Sequence, residues 1–125
     1  MKRIDDAEGA EALRLASLAQ GPEGIDRETL ATAVRYALQL LADRAPGHTV
    51  EVRVPPFGAV QAVEGPRHTS GTPPNVIETD PATWIALAIG AIAFSDAIGA
   101  GRALASGSRA DLTAYLPLTT ATMDA

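Results

Sequence analysis

The residues of this chain best suited to proton transfer are its two histidines, His48 and His68. An imidazole titrates near neutral pH and can take a proton from a hydroxyl. His68 lies in a Gly- and Pro-rich run beside Arg67, Thr69, Ser70 and Thr72. A catalytic pair needs base and nucleophile to meet in space, which sequence neighbours seldom do. The expectation for this run is a loop whose polar side chains bond its own backbone. Asp80 precedes Pro81 and reads as a helix N-cap rather than an acid. Asp111, three residues after Ser108, reads as part of a capping box with Asp in place of the usual Glu or Gln. Gly99-Ala100-Gly101 lacks the third glycine of a dinucleotide fingerprint and follows no clear strand, so it reads as a turn. Neither a Gly-x-Ser-x-Gly elbow, a Walker loop nor a His-Glu-x-x-His motif is present.

Composition narrows the chemistry further. The 125 residues suit one domain and are too few for two of ordinary size. With no cysteine, thiolate catalysis, disulfides and cysteine-rich zinc sites are excluded. The net charge of -5 and an aromatic content of 4% argue against phosphate contacts and base stacking. Lys2 is the sole lysine, and the arginines form no stripe. The N-terminus is charged and no long apolar run follows it, which argues against a secretory signal. The longest apolar run, residues 84–94, falls short of a membrane span. The expected location is cytoplasmic.

The elements that must position these groups follow from periodicity. Residues 6–20 are rich in helix formers and end at Gly21-Pro22. Asp26 caps a second helix over 27–44, with Leu30, Val34, Ala37, Leu38 and Leu41 on one side. Glu28, Thr32, Arg35, Gln39 and Asp43 mark its opposite side. The period then changes to two. Val50, Val52 and Val54 alternate with Glu51 and Arg53 in a strand with one covered face. Residues 59–64 form its hairpin partner after Pro55-Pro56-Phe57-Gly58. Residues 65–75 are a loop and 76–79 a third strand. Asp80-Pro81 opens a helix to Ile89, capped by Gly90. A short helix over 95–99 and a strand over 103–106 follow. Ser108 opens a last helix that ends at Leu116 before Pro117, and 119–125 form a frayed tail.

The run from Trp84 to Phe94 is apolar on every side, so it should be covered all round. Two readings compete: a helix buried in the core, or one wall of an apolar cavity. A cavity can bind an alkyl chain with few polar contacts. At about 0.8 kcal/mol per methylene, a chain of about 15 gains ~12 kcal/mol before the cost of ordering it.

Two blocks resemble the bacterial, mainly actinobacterial, branch of the sterol carrier protein 2 superfamily. The first is Val50-Glu51-Val52-Arg53-Val54-Pro55-Pro56-Phe57-Gly58-Ala59-Val60-Gln61, continuing from His68-Thr69-Ser70-Gly71-Thr72-Pro73-Pro74-Asn75 to Asp80-Pro81. The second begins at Thr83-Trp84 and includes Leu87-Ala88-Ile89-Gly90, Asp96-Ala97, Gly101-Arg102, Ala105-Ser106-Gly107-Ser108-Arg109-Ala110-Asp111-Leu112 and Leu116-Pro117-Leu118. Ser70 stands where the family pattern often has a basic residue, a place Arg67 is positioned to take over if that loop meets an anionic head group.

The resemblance implies an α/β (α+β) fold, with helices packed on a mostly antiparallel sheet of about five strands. It implies one sterol-carrier-like domain over 1–125: a helical pair at 1–47, the sheet with its helices at 48–118, and the tail. The implied function is non-enzymatic binding or transfer of a lipid, fatty acyl or sterol-like, in an apolar cavity, without cofactor or metal. Phe57, Val60, Trp84, Leu87, Ile98, Leu112 and Leu116 are the candidate lining, chosen by facing and size. The partners are an apolar small molecule or lipid and, transiently, a membrane, with no nucleic acid. The alternatives are an interaction or structural module with a filled core, and a small enzyme using His68.

Overall fold

A computed structural model describes residues 2–19, 22–65 and 75–119. The elements run α1 (Asp6–Leu18), a 3-10 turn (Pro22–Gly24), α2 (Arg27–Arg44), β1 (Val50–Val54), β2 (Gly58–Ala62), β3 (Asn75–Thr79), α3 (Pro81–Ile89), α4 (Phe94–Gly99) and β4 (Ala103–Ser106). Local chemistry sets most of these bounds. Asp26 accepts the Thr29 N–H and hydroxyl at the start of α2, and Asp80 does the same with Thr83 at the start of α3. Gly90 ends α3 in the left-handed conformation, at φ 82°, where a side chain would be strained. α1 begins at Asp5, whose carboxylate accepts the N–H of Ala7 and Glu8.

The four strands form one sheet in the order β2-β1-β3-β4. β1 pairs antiparallel with β2, from Val50 opposite Ala62 to Val54 opposite Gly58. β3 lies along the other edge of β1, parallel to it, with Val52 opposite Ile77. β4 runs antiparallel to β3. The alternation predicted for β1 holds: Val50, Val52 and Val54 are fully buried. Glu51 and Arg53 form an ion pair on the other face, at 2.7 Å.

Helices cover the buried face of the sheet. α2 packs on it through Val34, Leu38 and Leu41, all fully buried. α1 lies antiparallel on α2, tied at its beginning. Arg3 forms an ion pair with Asp43, Gln39 holds both the N–H and the carbonyl of Ile4, and Tyr36 donates to Asp6 at 3.1 Å. Gly9 faces the Tyr36 ring, and any Cβ there would collide with it. α3 packs against both helices.

Three expectations need correction. The described sheet has four strands rather than about five. The sequence pattern itself contains four strand segments; the higher number came from the resemblance alone. Gln39, assigned to the outer side of α2, is buried, because Ile4 crosses it and satisfies its amide. The last helix is absent: residues 107–119 form turns. Asp111 accepts the N–H of Thr113, two residues on, in place of opening a helix. Arg44 then draws the carbonyls of Tyr115, Pro117 and Leu118 to its guanidinium at 2.6–3.0 Å, and the N–H groups of Leu118 and Thr119 bond to Ala88 at the end of α3.

Candidate functional site: an apolar cavity between α1 and α3

α3 has two unlike sides. One is core. The Trp84 ring is fully buried, and its indole N–H donates to the Val34 carbonyl at 3.2 Å. Leu87 and Ala88 are buried beside it. The other side carries Pro81, Ala82, Ile85, Ala86 and Ile89, and it faces a cavity of about 290 Å³. Leu30 of α2, Ile25 before it and Ala91 after α3 complete part of the wall. Ala16 and Ser17 of α1, with Ala19 just beyond, form the rest.

The space follows from side-chain size. Polar ties fix the start of α1 on α2, and of its last turn Ala16 and Ser17, with Ala19 beyond, line the space, while Leu15 and Leu18 are exposed. Opposite stand Ala82 and Ala86, one helical turn apart. Alanine and serine are too short to meet across that gap. Asp80, Ala82 and Ala91 are exposed and mark its mouth.

Among the described residues, the lining holds two polar side chains, Ser17 and Asp80. Ser17 Oγ donates to the Arg14 carbonyl at 2.7 Å. Asp80 Oδ1 accepts the Thr83 hydroxyl at 2.6 Å, and Oδ2 accepts the Thr83 N–H at 3.2 Å. Thr83 Oγ1 in turn accepts from Arg102 Nε at 3.2 Å. Among the described residues, no group of three or more His, Asp or Glu side chains is placed to hold a metal ion. No helix of the described residues is long and apolar enough to cross a membrane.

The seven candidate lining residues are dispersed. Trp84 and Leu112 lie fully buried in the core. Phe57 is buried at the β1–β2 turn, where its carbonyl accepts from Arg35 Nε and the Arg27 guanidinium stands 5.0 Å from its ring centre. Val60 and Ile98 are half-buried against the core. Leu87 and Leu116 border a second hollow of about 230 Å³, with Gly90, Ile92, Phe94 and Pro117. None of the seven borders the larger cavity. Large apolar residues such as Ile85, Ile89 and Leu30 contribute to its walls, but the gap itself lies between small ones, which carry no sign of a cavity in the sequence. His68, with Arg67, Thr69, Ser70 and Thr72, lies outside the described residues.

The family follows from comparison with known proteins. A family model described as "Bacterial SCP ortholog" matches residues 26–118. The chain belongs to this bacterial sterol carrier protein family. No curated protein matches it. The match begins at Asp26, the N-cap of α2. The α3 wall of the cavity and Leu30 therefore lie within the family-matched span, and the α1 wall lies before it. The mixed α/β architecture, a sheet packed against helices, agrees with membership of the sterol carrier family.

Proposed function

We propose that this member of the bacterial sterol carrier protein family binds an apolar ligand in the cavity between α1 and α3 and carries it unchanged. The observation that supports this most is the cavity wall: a half-open space of about 290 Å³ lined mainly by Ala, Ile, Leu and Pro side chains. Ligand pockets start near this size and are mostly apolar with a few placed polar groups. Burial of the alkyl part supplies the affinity, roughly 0.8 kcal/mol per methylene before ordering costs. At about 30 Å³ per heavy atom, the space suits roughly ten heavy atoms. A medium alkyl chain, or the end of a longer one, fits; a whole sterol needs α1 to yield.

Transport without chemistry is supported by the two polar side chains of the lining. Ser17 donates its proton to the Arg14 carbonyl rather than to the Asp80 carboxylate, the one basic group among the described lining residues. Asp80 is engaged in capping α3.

The test is uptake of N-phenyl-1-naphthylamine, an apolar dye that brightens out of water and whose naphthyl group is of the size the half-open cavity holds, its phenyl ring remaining at the mouth, combined with native mass spectrometry of the purified protein. The expected result is a saturable rise with one dye per chain, weakened by Ala86→Leu, which fills the cavity. A flat titration, or an Ala86→Leu variant that binds as well as the parent, would defeat the reading.

A further inference from the structure

We infer that the cavity between α1 and α3 selects ligands whose head group donates a hydrogen bond, an aliphatic alcohol or amine, over the carboxylate of a fatty acid. The inference rests on the binding role proposed above and adds the chemistry of the ligand's polar end. It comes from the hydrogen-bond state of the two polar side chains in the lining. The Ser17 hydroxyl proton points to the Arg14 carbonyl, so what Ser17 offers a ligand is its lone pairs. Asp80 is an acceptor at both oxygens. Each accepts one bond from Thr83, and each carboxylate oxygen has room for a second. The polar side chains among the described lining residues are therefore acceptors, and one of them is charged.

A helix start would by itself favour an anion. Here the Ala82 N–H is left for a ligand, and the Asp80 carboxylate beside it offsets the pull of the helix start on an anion. Pro81 has no N–H, and the Thr83 N–H is held by Asp80. Arg102 approaches Thr83 rather than Asp80, and among the described residues no ion pair joins Arg102 to Asp80. A carboxylate lodged at the mouth would face Asp80 with like charge and meet no side-chain donor among the described lining residues. A hydroxyl or ammonium would donate to Asp80 or Ser17 while its chain lay along Ala82 and Ala86.

Displacement of N-phenyl-1-naphthylamine by nonanol, nonylamine and nonanoate at neutral pH tests this, since the three share one chain and differ at the head. Hydrogen bonds to a charged acceptor are worth enough for about tenfold in affinity, so nonanol and nonylamine are expected to displace the dye at about tenfold lower concentration than nonanoate. Asp80→Asn keeps a good N-cap and removes the charge. It is expected to weaken nonylamine, strengthen nonanoate and close most of the gap between them. Nonanoate displacing the parent's dye as readily as nonanol overturns the inference, and so does a dye that binds but yields to none of the three. In both cases the cavity reading survives. Failure of the dye itself to bind removes the cavity reading as well. The comparison within the unchanged protein stands even if Asp80→Asn does not fold.

Discussion

The two sides of α3 are made from nearly the same vocabulary and do opposite things. On one, Trp84 and Ala88 are fully buried and pack against α2 and the C-terminal segment. On the other, Ala82 and Ala86 stand back from the equally small residues that end α1 and leave an open volume. Hydrophobicity does not distinguish the two sides; what stands opposite each does. A helix apolar all round is covered all round, but covering can mean contact or enclosure.

The largest effect that tests this contrast is Trp84→Ala. A fully buried indole is lost from the packed side, with an expected cost of about 3–5 kcal/mol in urea unfolding followed by circular dichroism. A loss below about 1 kcal/mol would mean that this side is not tightly packed and that the contrast is false.

A matched pair of substitutions compares the sides directly. Ala88 is fully buried, and its carbonyl already receives the N–H groups of Leu118 and Thr119. Ala88→Leu forces three further carbons into filled space and is expected to cost about 1–3 kcal/mol. Ala86→Leu, half a turn away, enters the cavity and is expected to leave stability unchanged or raise it by up to about 1 kcal/mol. Equal destabilisation by the two would show that the space beside Ala86 closes in solution.

The side made by contact was easier to read in the sequence than the side made by enclosure. Trp84 and Leu87 announce burial by their own character, and Asp26, Asp80-Pro81 and Gly90 mark helix ends through bonds formed within three or four residues. Such local signals placed α2, β1 and α3 at their observed limits. What depended on distant partners was lost. β3 pairs parallel with β1 although β2 intervenes in sequence. Gln39 is buried because Ile4 reaches it from 35 residues away. The Ser108–Asp111 pair had a helix start's spacing, but Asp111 turned to Thr113 and Arg44 captured the carbonyls beyond. The cavity is the extreme case, since it consists of what alanines fail to fill, and only the docking of α1 on α2 sets the distance across it.

The smallest predicted effect concerns which side loosens first in acid. The Asp26 carboxyl is held below the usual carboxylate range by the hydroxyl and N–H of Thr29, and Asp43 is held down by its bond to Arg3. A carboxyl whose folded pKa is depressed adds stability that is present above its unfolded value, near 4. That stability is lost as pH falls through the lower folded value. Both groups are solvent-exposed, so each contribution is small. Both, however, support the enclosed side. Asp26 starts α2 between Ile25 and Leu30, which line the cavity, and Asp43 anchors the beginning of α1, whose far end closes it. Trp84, the sole tryptophan, reports on the packed side. Between pH 7 and about 5 neither side should change on account of these groups. Below about 4, naphthylamine binding is expected to weaken while the Trp84 emission maximum stays fixed, with the tryptophan signal shifting only at lower pH. Coincident loss of both signals would mean that enclosure and contact on α3 belong to one cooperative unit, and that the difference between its sides is one of shape without a difference in strength.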